Sequence, residues 1–168
     1  MIDASVRERA SKIKLLLMDC DGVLTDGRLY FSADGERMKV FHVRDGQGIV
    51  SWHEAGFRSG IITGRDSEPI LRMRAAELGM HYLKVRSAEK VRDLETILIE
   101  AGVTDSETAF VGDDLGDLAL MGRVGLPIAV ADAVSEVLAA AAYVTKAAGG
   151  HGAIREVTDL LLSARADD

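Results

Sequence analysis

Apolar runs of strand length alternate with stretches of helical spacing along almost the whole chain. Ile13-Lys14-Leu15-Leu16-Leu17-Met18 opens the first strand, expected near 13–19, and others are expected near 57–62, 80–84, 107–111, 125–130 and 142–145. Runs this continuous need burial on both faces, as strands of a parallel sheet have. Between them the spacing predicts helices near 46–55, 66–78, 88–101, 115–122, 133–140 and 151–164. In the third of these, Val91, Leu94, Ile97, Leu98 and Ala101 recur on one face, with Ser87 placed to cap its start. Such alternation predicts an α/β fold, a doubly wound and mostly parallel sheet with helices on both faces. One segment breaks the pattern. Leu29–Ser32 and Met38–Val43 flank Asp34-Gly35, a strong hairpin signal, so a β-hairpin over about residues 28–43 should project from the sheet. It is either a lid or an association surface, and association is favoured because a lone hairpin is marginal until its apolar face is covered.

Composition narrows the class. A chain of 168 residues can bury a real core as one domain, residues 1–168, and 48% hydrophobic with 28% charged residues is ordinary for a globular protein. A net charge of −7 argues against nucleic acid or an anionic membrane as partner. Handling phosphate would then require a bound cation or a few well-placed Lys and Arg residues. Met1–Lys12 is polar and lacks the apolar centre of a signal peptide, and no run approaches membrane-spanning length. One cysteine, Cys20, excludes an internal disulfide and a Cys-based zinc site. A cytoplasmic protein is expected.

Chemistry concentrates at the predicted strand ends. The first strand runs into Asp19-Cys20-Asp21-Gly22-Val23-Leu24-Thr25, which puts two carboxylates on one side at the carboxyl edge of the sheet, where open α/β folds bind ligands. Carboxylates that close repel unless a proton or a cation intervenes, although a sheet-edge turn also accounts for such a pair. Gly60-Ile61-Ile62-Thr63-Gly64-Arg65 ends a second strand in Thr-Gly, able to hold a phosphoryl oxygen or simply to cap a helix. Lys90 sits in the first turn of a predicted helix, where the dipole disfavours a cation; this hints at an anionic partner. Ala109-Phe110-Val111-Gly112-Asp113-Asp114-Leu115-Gly116-Asp117 ends another strand in three carboxylates, more than capping needs and suited to a hard cation such as Mg²⁺.

In this order D-C-D-G-V-L-T, I-I-T-G, S-A-E-K and V-G-D-D-L-G-D resemble the four motifs of the haloacid dehalogenase superfamily of phosphohydrolases, over about Lys12 to Leu162. No cap-sized insertion separates Asp21 from Thr63 or Lys90 from Asp113. With the hairpin, F-H-V-R-D-G-Q-G-I and A-G-G-H-G-A-I-R-E, the chain is similar to the capless 3-deoxy-D-manno-octulosonate 8-phosphate phosphatases. Phosphatases of nine-carbon sugar-acid 9-phosphates share most of these features. The resemblance implies a Rossmann-like domain without a cap, a Mg²⁺-dependent phosphomonoesterase of lipopolysaccharide biosynthesis acting through an aspartyl-phosphate. Asp19 would be the nucleophile and Asp21 the acid/base. Mg²⁺ would bind Asp19, the Asp21 carbonyl and Asp113, while Asp114 and Asp117 would orient ligands or Lys90 from behind. Thr63 and Lys90 would hold the transferring phosphoryl group, with Gly64 beside Thr63. Arg44, Arg65 and Arg155 would clamp a substrate carboxylate, with His42 and Asp45 near the site mouth. The resemblance also implies a homotetramer joined through the hairpins.

Departures from the family pattern limit the substrate more than the reaction. Cys20 replaces an aliphatic residue, Leu83-Lys84-Val85-Arg86 replaces a Gly-containing stretch, and the tail Ser163–Asp168 is short and acidic. Rival readings are weaker. Cys20 as nucleophile would need an Arg six positions on, where Asp26 stands, and alternation turns Cys20 inward. Metal ligation by His151 lacks a partner at ligand spacing, and Gly149–Gly152 reads as the turn into the last helix. A non-catalytic phosphoacceptor domain would carry its acid pair and accepting Asp on different strands.

Overall fold

The computed structural model describes residues 3–165, so Met1, Ile2 and the end of the acidic tail, residues 166–168, lie outside the described residues. Six parallel strands form one sheet: β1 (Leu15–Met18), β4 (Arg58–Ile62), β5 (Tyr82–Lys84), β6 (Thr108–Gly112), β7 (Leu126–Ala129) and β8 (Tyr143–Val144). Their spatial order is β5-β4-β1-β6-β7-β8, and a two-stranded hairpin of β2 (Tyr30–Ser32) and β3 (Gly35–Met38) stands apart from it. Every residue of β1, β6 and β7 is buried, as the continuous apolar runs require. The order reverses at β1, which pairs with β4 on one side and β6 on the other. That reversal is the topological switch point where doubly wound sheets bind ligands.

The helices are α1 (Ala4–Lys12), α2 (Val43–Glu54), α3 (Glu68–Leu78), α4 (Lys90–Ala101), α5 (Leu118–Met121), α6 (Ser135–Ala140) and α7 (Ala153–Ser163). One group, α1, α2 and α7, packs together, and α4, α5 and α6 form another. The apolar stripe of α4 faces inward through Leu94, Ile97 and Leu98, and Gly102 ends the helix in the left-handed conformation at φ 64°. Trp52 of α2 and Phe110 of β6 are the largest fully buried side chains. Among the described residues no helix is long and apolar enough to cross a membrane.

Three local expectations need correction. The hairpin closes earlier than the apolar spacing suggests: the second strand is Gly35–Met38, and the chain from Lys39 runs directly into α2, which begins at Val43 rather than 46. Ser87 does not cap α4; its hydroxyl donates to the Asp93 carboxylate, and the residue before the helix is Glu89. Helix α1 is absent from the apolar pattern, because only Val6 and Ala10 of its nine residues are buried and so sparse a stripe leaves little periodicity. Asp3 caps it, accepting from Ser5 N at 2.8 Å.

Candidate active site

The acidic centre is built where β1 and β6 end side by side. Asp19 N donates to Val111 O at 3.0 Å, tying the end of β1 to its neighbour. The chain then turns sharply, with Val23, Leu24 and Thr25 N–H groups all directed to Cys20 O. Gly22 is required twice over. It sits at φ +87°, and a Cβ there would lie 2.0 Å from Asp113 Oδ2. The 149–152 loop braces this turn from outside: Gly150 N donates to Val23 O at 2.9 Å, and a Cβ on Gly149 would fall 1.8 Å from Gly22 O. Gly149–Gly152 is therefore the turn into α7 and also a wall of the site. Asp45 of α2 fixes it, its carboxylate accepting from Gly152 N at 3.2 Å and Arg155 N at 2.9 Å.

Lys90, the first residue of α4, reaches between two carboxylates, 2.6 Å from Asp19 Oδ2 and 2.8 Å from Asp117 Oδ1. A cation at a helix N-terminus costs roughly 0.3–1 kcal/mol. Two charge-assisted hydrogen bonds of about 1.5–3 kcal/mol each outweigh that. Asp117 is fully buried, and its Oδ2 accepts from the backbone N–H groups of Asp113 at 3.0 Å and Asp114 at 3.3 Å. Asp114 is spent on capping, with Oδ1 accepting from Leu115 N at 2.7 Å.

Carboxylate oxygens of Asp19, Asp113 and Asp117 lie within 4.8 Å of one another. Both oxygens of Asp117 are already engaged, whereas Asp113 Oδ1 is buried with no hydrogen-bond partner among the described residues. An orphaned carboxylate oxygen beside a second carboxylate fits a hard cation with oxygen ligands. The electrostatics agree. Burial, then the charge of Asp117, pushes the Asp19 carboxyl up to about 6, against the pull of Lys90. Burial, then the charges of Asp117, Asp19 and Asp114, raises Asp113 to about 7. Burial works against the Lys90 charge, yet Asp19 and Asp117 hold its pKa above the ordinary lysine value.

The remaining expected residues divide. Thr63 is buried at the end of β4, and its Oγ1 accepts from Arg65 N at 3.3 Å across the turn containing Gly64. Arg65 borders the acidic centre, its Nε 3.5 Å from Asp21 Oδ2. Arg44 and Arg155 line an open cleft of about 1290 Å³ with Lys146, His151 and Gly152, and none of Asp19, Asp21, Asp113 and Asp117 lines it. Asp45 caps α7 instead of facing the mouth. His42 caps α2, with Nδ1 accepting from Arg44 N at 3.2 Å. Cys20 is fully buried in the core, where desolvation raises its thiol pKa and keeps it inert.

Two residues at the site escape a reading of the sequence. Lys39 and Glu36 reach back from the hairpin, and the Lys39 ammonium contacts both Asp21 Oδ1 and Glu36 Oε1. A charged residue between the apolar Met38 and Val40 is the available signal, but nothing local says which carboxylate it meets.

The profile of the haloacid dehalogenase-like hydrolase family matches residues 67–156. The 3-deoxy-D-manno-octulosonate 8-phosphate phosphatase of Haemophilus influenzae is 42% identical over 160 residues, 95% of this chain and 88% of that one. The crystal structure of the Yersinia pestis phosphatase of that name superposes with a TM-score of 0.94 at 41% identity, covering 97% of this chain and 88% of its own. The Moraxella catarrhalis phosphatase, solved with a magnesium ion, a phosphate ion and a KDO molecule, gives a TM-score of 0.92 at 35% identity, covering 96% and 92%.

Proposed function

The chain belongs to the haloacid dehalogenase-like hydrolases and, within them, to the 3-deoxy-D-manno-octulosonate 8-phosphate phosphatases, and on that footing we propose how its residues carry out the reaction. It is a Mg²⁺-dependent phosphomonoesterase that hydrolyses 3-deoxy-D-manno-octulosonate 8-phosphate. The observation that carries this is the paired Asp19 and Asp113 carboxylates, one oxygen orphaned, with Lys90 bridging Asp19 to Asp117.

Asp19 attacks phosphorus, forming an O–P bond as the bond to the sugar oxygen breaks. Asp21 gives its proton to the departing alkoxide, which is too basic to leave unprotonated. Asp21 then takes a proton from the water that attacks the aspartyl-phosphate, releasing phosphate and restoring Asp19. Lys90 keeps Asp19 aimed and, with Thr63, steadies the phosphoryl oxygens. Asp117 holds Lys90 in place. Asp19, Asp113 and the Asp21 carbonyl would hold Mg²⁺, which would supply positive charge against the phosphoryl oxygens. Arg65 is the best placed of the three expected clamps for the sugar-acid carboxylate, since it alone of them borders the acidic centre.

The whole chain, residues 1–168, acts as one catalytic unit in this reading. An apolar band on the hairpin and its flanks, Leu29, Phe31, Met38, Val40 and Val43, is exposed and supports assembly into a homotetramer. The same reading assigns the chain to the cytoplasm and to lipopolysaccharide biosynthesis. Phosphate release with Mg²⁺ tests the substrate, comparing the octulosonate 8-phosphate with nine-carbon sugar-acid 9-phosphates and simple sugar phosphates. A preference of about a hundredfold, roughly 2.7 kcal/mol of transition-state binding, is expected. Equal rates on all would overturn the substrate assignment, and no turnover on any would revive the phosphoacceptor reading.

A further inference from the structure

Lys39 has a fully buried side chain, a rare state for lysine that demands matched charge. Its ammonium contacts Asp21 Oδ1 and stands 2.9 Å from Glu36 Oε1. Glu36 Oε2 accepts in turn from Ser67 Oγ at 2.7 Å and Arg65 Nη2 at 3.3 Å. Arg65 Nε then faces Asp21 Oδ2 at 3.5 Å, and neither of those atoms has a hydrogen-bond partner among the described residues. The four side chains close a ring of two cations and two carboxylates. Hairpin and sheet edge meet in it: Glu36 and Lys39 come from β3 and its exit, Arg65 and Ser67 from the loop after β4, and Asp21 from the loop after β1.

We propose that Lys39 is a positioning residue for Asp21, gripping Oδ1 and so fixing the orientation of the carboxyl group that transfers the proton. The proposal rests on Asp21 being the acid/base of the reaction described above. The consequence is that the hairpin is more than an association surface. Through Lys39 and Glu36 it sets the aim of a carboxylate on another element, and Arg65 completes the grip from the opposite side.

A role confined to anchoring the hairpin would slow all substrates alike. Positioning of a proton donor shows itself instead in leaving-group dependence, because an alkoxide needs the proton and a nitrophenolate does not. The experiment measures kcat/KM for the octulosonate 8-phosphate and for p-nitrophenyl phosphate in wild type, Lys39→Met and Glu36→Gln. Turnover of both by wild type establishes the phosphatase reading independently. The ratio of the sugar ester to the aryl ester is expected to fall at least about tenfold in Lys39→Met, a part of the ~10²–10⁴-fold that a general acid supplies in full. Glu36→Gln removes one anchor of Lys39 and leaves Asp21 intact, and it keeps the test open if Lys39→Met does not fold. Because Glu36 also holds Arg65, its ratio is read with a simple sugar phosphate that carries no carboxylate in place of the octulosonate ester, and it should fall in the same direction. An unchanged ratio in a folded variant, with both esters slowed equally or neither slowed, would overturn the proposal while leaving the phosphatase reading intact.

Discussion

At Asp113 and Asp19 the same burial that assembles the site makes it costly to keep both groups ionised. Their carboxyls are raised to about 7 and about 6, burial being the larger cause and neighbouring carboxylates the next. Both are raised above their unfolded values, so the metal-free protein bears no such cost below about pH 4, where both groups are protonated. It loses stability as the pH climbs through 6 and 7 and the carboxylates ionise against each other. A divalent cation removes that repulsion and competes with protons for the same oxygens. The rise in melting temperature on adding Mg²⁺ to chelator-treated protein should therefore be larger at pH 8 than at pH 5. An equal rise at both values would contradict the assignment of Asp19 and Asp113 as the cation's ligands. Asp117 contrasts with Asp113: its two oxygens are consumed by Lys90 and two backbone N–H groups, whereas Asp113 Oδ1 has no hydrogen-bond partner among the described residues.

The hairpin is the element whose environment is least complete within one chain. Phe31 is 64% exposed and Val43, just beyond the hairpin, 83% exposed, although both are large and apolar. Phe41 differs. It is partly buried against the core, with the Arg74 guanidinium 5.3 Å from its ring centre. Association through the hairpins thus predicts that Phe31→Asp lowers the mass of the particle in light scattering, whereas an unchanged mass would count against a hairpin interface. The elements are legible in the sequence to different degrees for physical reasons. Strands buried on both faces announce themselves, since no polar residue interrupts Leu15–Met18. Helix α1 does not, because its nine residues bury only two apolar side chains. In the hairpin, Val40 and Phe41 look like strand residues, but cross-strand pairing ends at Met38.

Across the whole molecule the sheet order brings the chemistry together. β1 is central, β4 and β6 flank it, and β5 lies beyond β4, so Asp19, Thr63, Lys90 and Asp113 issue from neighbouring strand ends or the loops that follow them. This is why the placement of those four can be read from the sequence: each follows a strand whose end is marked by its apolar pattern. The roles of Glu36, Lys39 and Asp45 cannot, because tertiary packing alone decides which partner each meets. Arg44 and Arg155, carried on the packed α2–α7 pair, line a cleft that the acidic residues do not, and nothing in the sequence signals that placement. In the proposed mechanism catalysis turns on Asp19 as a nucleophile working with a cation that Asp19 and Asp113 would hold. The most direct test is phosphate release from the octulosonate 8-phosphate by wild type and Asp19→Asn, each with Mg²⁺ or with chelator. Turnover is predicted for wild type with Mg²⁺ alone, and its loss in a folded Asp19→Asn variant under both conditions. Undiminished turnover in that variant, or in wild type stripped of metal, would contradict the assignment.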